Sequence, residues 1–184
     1  MARFYTIGHS NRPLDEFIRL LQEVGLNLLI DVRTIPKSRH NPQFNADALE
    51  HALRGVGIGY KRIPELGGLR SRRKDQGPSP NGFWENENFR NYADYTATPA
   101  FHAGLLELRR LGEAQTCAIM CAEAVWWRCH RRIITDYLLA AGEAVTHIMG
   151  KGKSEPAQLT EAGIIGGNGV ITYPAAQGHL LLYV

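Results

Sequence analysis

Apolar positions along this chain fall into two kinds of run, and the two kinds alternate. Phe4 to Gly8 is short and unbroken, which predicts a buried strand. Pro13 then stands where a helix would start, with Asp15 and Glu16 in its first turn. Leu14, Phe17, Ile18, Leu21 and Val24 follow at helical spacing, and Gly25 closes the run. Leu28 to Val32 predicts a second strand. Asn45 can cap a helix carrying Ala48, Leu49, Ala52 and Leu53 and ended by Gly55, and Ile58 to Ile63 predicts a third strand. Residues 64–88 form a long polar, Gly/Pro-rich loop, a length that suits a functional segment.

Two helices are predicted next, near 88–96 and 99–111. A fourth strand spans Thr116 to Met120, a helix runs from about Cys129 to Ala141, and a fifth strand covers Ala144 to Met149. The tail from Gly150 is Gly-rich and polar, with short strands predicted at Val170–Tyr173 and Leu180–Val184. Alternating strands and helices imply crossover connections. The expected fold class is therefore α/β: a mostly parallel sheet of about five strands with helices on both faces. With no internal repeat or linker, residues 1–184 read as a single domain, its core at 4–149 and a C-terminal extension at 150–184.

Composition changes this picture little. A chain of 184 residues, 44% hydrophobic and 21% charged, can fill one core. A net charge of +3 does not by itself call for a nucleic-acid partner. Its distribution is more informative: Lys61, Arg62, Arg70, Arg72, Arg73 and Lys74 crowd one segment, opposed there by Glu65 and Asp75. Three cysteines, an odd number, speak against a secreted disulfide framework. No targeting segment or membrane span is expected, so the cytoplasm is the expected compartment.

In parallel sheets ligands bind outside the carboxyl ends of the strands, and the reactive residues cluster there. The first strand runs into Gly8-His9-Ser10-Asn11. The second runs into Asp31-Val32-Arg33, then Lys37-Ser38-Arg39. The third leads to Glu65-Leu66-Gly67-Gly68, and the fourth to Cys121-Ala122-Glu123, followed by Cys129-His130-Arg131.

These segments, with Thr6-Ile7, Tyr92-Ala93-Asp94-Tyr95, Leu159-Thr160 and Thr172-Tyr173-Pro174, resemble the bacterial and archaeal family called domain of unknown function 488. The likeness covers residues 4 to about 149 and implies an α/β fold without an assigned activity. The tail departs from the pattern: where a histidine is expected before Leu159-Thr160, the chain has Pro156-Ala157-Gln158.

Each constellation has a chemical and a structural reading. The free N–H groups of a helix starting at Cys129 would favour an anion, and Arg131, Arg33 and Arg39 would add guanidinium donors. Alternatively, these arginines pair with Asp31, Glu65 and Glu123. Cys121 is a candidate nucleophile with His9 or His130 as base, or else a packing residue. The Asp31-Val32-Arg33 start resembles that of rhodanese-type sulfurtransferases, but their compact Cys–Arg loop is missing, as is the Gly-rich turn of cysteine phosphatases. Cys117 reads as core. Glu123 suits general acid/base work, or holds Arg131 or His9 in place.

Cys121, Cys129, His130 and His9 have the right donor types for zinc. A helix beginning at Cys129 would splay Cys129 and His130 by about 100°, so no metal or other cofactor is expected. Arg70, Arg72, Arg73 and Lys74 followed by Phe83-Trp84 mix cations with aromatics, which suits nucleic acid or a solvated surface. Of Trp126 and Trp127, at most one is expected to face the core.

The leading expectation is an enzyme for a small anionic substrate, phosphorylated or nucleotide-like. His9, Cys121, Glu123 and His130 would carry catalysis; Ser10, Asp31, Arg33, Arg39, Arg131 and Trp84 would bind substrate. The alternatives are a nucleic-acid or nucleotide binding module without catalysis, and a structural or adaptor protein whose polar rim is a hydrogen-bonded network.

Overall fold

In the computed structural model, which describes residues 1–72 and 76–176, the predicted alternation is realised. The elements are β1 (Arg3–Gly8), α1 (Leu14–Glu23), β2 (Leu28–Asp31), α2 (Ala46–Arg54) and β3 (Gly59–Arg62). They continue with α3 (Glu87–Tyr95), α4 (Pro99–Ala114), β4 (Cys117–Cys121), α5 (Arg131–Ala140), β5 (Ala144–Gly150), β6 (Lys153–Pro156), β7 (Ile164–Ile165) and β8 (Ile171–Thr172). The main sheet has the order β3-β2-β4-β1-β5-β6. Its first five strands pair in parallel, and β6 joins β5 antiparallel at the edge.

Side-chain alternation along the strands sorts the core into two layers. Leu29, Ala118, Met120 and Ile7 face α1 and α2 through Phe17, Leu20, Leu21, Leu49 and Leu53. Leu28, Ile30, Ile119 and Phe4 face α3, α4 and α5 through Tyr92, Phe101, Leu108, Ile133 and Leu138. Each fully buried large side chain contributes roughly 1.5–3 kcal/mol. Helices thus cover both faces, as a buried parallel sheet requires. Because side chains alternate, Cys117 and Cys121 share the second face with Ile119, and Cys121 points toward α5.

Local chemistry sets the ends. The Asn86 side chain accepts from the N–H groups of Asn88 and Phe89, so α3 starts at Glu87. Thr98 caps α4, with Pro99 at its first position.

Three differences from expectation stand out. The last helix begins at Arg131, because Cys129 is extended (φ −130°, ψ 146°) and His130 takes the capping position. The tail contributes β6, whose exposed polar sequence carries no burial pattern; such an edge is marked instead by charge and proline. Ile171–Thr172 is a strand inside the predicted 170–173 segment, but its partner, Ile164–Ile165, was not expected. The predicted strand at 180–184 and residues Arg73, Lys74 and Asp75 lie outside the described residues. Among the described residues no helix is long and apolar enough to cross a membrane.

Candidate functional site

The strand order sets the site. β4 lies between β1 and β2, so Gly8 sits beside Cys121 and Asp31 beside Met120. The pairing runs on past the strands: His9 N–H donates to the Cys121 carbonyl and Ser10 N–H to that of Ala122, both at 3.0 Å. Gly8 is required here, since a Cβ would drive into the Glu123 carbonyl.

One polar network occupies the β1/β2 side. Asp31 is fully buried and accepts from Arg33 Nε (2.9 Å), Arg33 Nη2 (2.6 Å), Arg33 N–H (3.0 Å) and the Tyr60 hydroxyl (2.6 Å). Burial, and then the Asp31 carboxylate it bonds, push the Tyr60 hydroxyl pKa up. Arg33 Nη1 lies 3.2 Å from His9 Nε2. The Ser10 carbonyl can only accept, so His9 Nδ1, at 2.8 Å, carries the ring proton and Nε2 accepts from Arg33. The His9 ring stacks on Phe44, and burial lowers its pKa to about 4.

A second network lies under the end of β4. Arg131 is 1% exposed. Its Nε donates to the sulfurs of Cys121 (3.1 Å) and Cys129 (3.3 Å), Nη2 to the Glu123 carbonyl (2.7 Å), and Nη1 to the Thr6 hydroxyl (3.5 Å). The Thr6 hydroxyl also shares a hydrogen bond with His147 Nδ1 (2.7 Å), and the His147 ring stacks on Trp126. Burial lowers the Arg131 pKa to about 9, opposed by the exposed Glu123 carboxylate acting through space. The Cys121 and Cys129 sulfurs are in contact. Their Cα atoms are 7.6 Å apart, wider than the roughly 4.4–6.8 Å of ordinary disulfides.

His130 completes this group. Its Nε2 lies 2.9 Å from the Val32 carbonyl, and its Nδ1 is 3.5 Å from the Cys129 sulfur. Burial lowers its pKa to about 4. Gly68 packs so closely on this ring that a Cβ there would overlap it. The helical splay expected of Cys129 and His130 does not arise, because Cys129 precedes the helix.

Above the two networks lie adjoining clefts. One, of about 260 Å³, is lined by apolar Ile35, Leu69, Phe89 and Ala122, with Cys121, Cys129 and His130 in its wall and Glu123 and Arg128 also lining it. The other, of about 380 Å³, is more polar and is lined by His9, Ser10, Lys37 and Ser38; it shares Arg33, Ile35 and Ala122 with the first.

The sequence-predicted residues therefore divide. Cys121, Glu123, His130, His9, Ser10 and Arg33 line one or both clefts. Asp31 and Arg131 lie buried and are named in the lining of neither. Arg39 is exposed, and Trp84 packs in the core against Phe89 and Tyr173. Of the basic loop, Arg70 donates to the carbonyls of Pro64, Glu65 and Gly67 and covers the Tyr95 ring, while Arg72 donates to Gly77. Trp126 is half-buried and Trp127 exposed. Ile35, Leu69 and Phe89 as cleft walls were missed, and Cys129, weighed as a zinc donor, had been set aside on the expected helical splay. The paired cysteines around Cys121-Ala122-Glu123 and Cys129-His130-Arg131 were the available signal.

A family model described as a domain of unknown function, DUF488, matches residues 13–138. The chain belongs to this family. No curated protein and no solved structure matches it. The DUF488 match contains both cysteines of the pair, His130 and Arg131, and begins after β1, so His9 lies outside it.

Proposed function

We propose that this DUF488 protein is an enzyme acting on a small molecule in the adjoining clefts, with the Cys121/Cys129 pair, in thiolate form, as its reactive centre. The observation that carries this reading is the state of Arg131. Its guanidinium is buried, and among the described residues its hydrogen bonds go to one hydroxyl, one carbonyl and two sulfurs, with no carboxylate. A buried cation with no carboxylate in contact costs several kcal/mol, which the exposed Glu123 carboxylate offsets only in part through space. A thiolate supplies that charge, and the guanidinium stabilises the thiolate in return. The thiolate, not the thiol, attacks electrophiles and ligates metals.

Cys117 is the internal contrast: its thiol donates to the Gln115 carbonyl, and burial pushes its pKa up to about 11. The cleft walls support a substrate with an apolar body. Arg128 beside the first cleft and Lys37 in the second favour an anionic end.

Alkylation by iodoacetamide at pH 7, under reducing conditions with a chelator present, tests the reading. One cysteine of the pair should react at least about tenfold faster than Cys117 and than free cysteine. Arg131→Lys should keep most of that rate, and Arg131→Met should lose it. Equal rates in wild type and in Arg131→Met of matching circular dichroism would sink the proposal. Thermal unfolding with a panel of phosphates, nucleotides and carboxylates then names the substrate class, since a ligand at a hundredfold over its Kd adds about 2.7 kcal/mol.

A further inference from the structure

We infer that Cys121, Cys129 and His130 form a binding site for one soft divalent metal ion of the zinc type, with a fourth coordination position open to the apolar cleft. The inference rests on the thiolate reading above and specifies what the pair holds. Among the described residues these three place their ligand atoms within 4.8 Å of one another. Two thiolates and an imidazole are the donors such an ion prefers, and three protein ligands with a vacant fourth position is the pattern of catalytic rather than structural zinc.

The histidine is already oriented for the task. A carbonyl oxygen can only accept, so the Val32 bond at 2.9 Å requires the proton on His130 Nε2. Neutral imidazole then presents the Nδ1 lone pair, on the side of the Cys129 sulfur. A backbone carbonyl fixing the far nitrogen is the usual outer support of a metal-bound histidine. The Tyr92 ring edge and the close approach of Gly68 hold the same ring in place.

The cysteine spacing also fits. An ion sits about 2.3 Å from each sulfur and about 2.0 Å from the ring nitrogen, so the two sulfurs must part to admit it. A Cα separation of 7.6 Å, wide for a disulfide, leaves that room. Cys121 is held at the end of β4, while Cys129 sits in the extended residue between a 3-10 turn and α5. All three residues line the 260 Å³ cleft, so an ion between them would face it.

Charge then bears on the fourth ligand. Two thiolates neutralise a divalent ion, and the Arg131 guanidinium against the sulfurs leaves one positive charge in a buried place. Hydroxide or an anionic substrate group in the open position cancels it. The inference thus joins the apolar cleft to an anion at its wall.

The test uses the full chain, reduced, stripped with a chelator and titrated anaerobically with Co²⁺ alone. One cobalt per chain should bind, with sulfur-to-cobalt charge transfer in the near ultraviolet and visible ligand-field bands of a tetrahedral site. Zn²⁺ should bleach both. Cys129→Ser and His130→Ala should each weaken Co²⁺ binding about a hundredfold or more, since losing a mere outer-shell partner already costs 10–100-fold. Cys117→Ala should leave it unchanged. Circular dichroism of the stripped variants confirms that they fold, and if Cys129→Ser does not, His130→Ala decides. Failure of the wild type to take up Co²⁺, while fast Arg131-dependent alkylation persists, would overturn the metal site and leave the thiolate reading standing. Undiminished uptake in both Cys129→Ser and His130→Ala would overturn it as well. No uptake together with ordinary alkylation would bring down both.

Discussion

Two buried arginines stand at the carboxyl ends of neighbouring strands, and they are used differently. Arg33 closes on Asp31 with two guanidinium nitrogens and shares that carboxylate with Tyr60. Arg131 meets sulfur, a hydroxyl and a carbonyl. The first is a finished ion pair whose charges are spent on each other. The second has no carboxylate among its hydrogen-bond partners, and on the proposed reading its counter-charge is a thiolate. A carboxylate, ordinarily titrating near about 3.9, resists protonation at pH 7, whereas a thiol near about 8.5 accepts it readily. On the proposed reading, that asymmetry separates a structural arginine from one that sustains a thiolate.

The largest expected effect falls on the finished pair. Arg33→Met strands Asp31, which is 0% exposed, and should lower stability by about 3–5 kcal/mol in urea unfolding at pH 7. Arg131→Met should cost less, about 1–3 kcal/mol, because the sulfurs can protonate and only the buried hydrogen bonds go unanswered. Equal losses in the two variants would break the contrast. A separate test concerns acid. Burial lowers the pKa of His9, beside Arg33, and of His147, behind Arg131 and Thr6, from 6.5 to about 4. The unfolded chain then binds these protons first, so the stability they contribute is complete above pH 6.5 and is lost as pH falls toward 4. Urea midpoints should drop between pH 7 and 5, and His147→Gln should flatten part of that drop. A flat profile in the wild type would show that neither ring is held neutral.

The layered α/β fold was legible because Leu28 to Ile30 and Cys117 to Cys121 are unbroken apolar runs, while α1 carries Phe17 and Leu21 on one face. β6 was not, since Lys153-Ser154-Glu155-Pro156 is exposed and has no apolar side to betray it. The gathering of these polar residues on one rim followed from the strand-end rule. The direction of its arginines did not: one-dimensional spacing cannot tell a guanidinium aimed at solvent from one turned under the sheet. Cys129 was set aside as a partner of His130 for a local reason. An assumed helix start at Cys129, two residues too early, turned its side chain away from His130.

The place of β4 bears on how the molecule assembles. β1 and β2 are made early but do not touch as neighbours in the sheet; each pairs with β4, which begins only at residue 117. Until that strand inserts, the middle of the sheet is a slot with two unpaired edges. Pairings of such long sequence separation are slow to form, since their loop-closure entropy is lost before any contact compensates it. Cys121 ends the strand that fills the slot and Cys129 follows eight residues later, so the pair is set between the ends of β1 and β2 only when the sheet is complete. The surroundings of the pair, with Arg131 held to Thr6 of β1 and His130 to the Val32 carbonyl beyond β2, are thus complete only when both edges are filled.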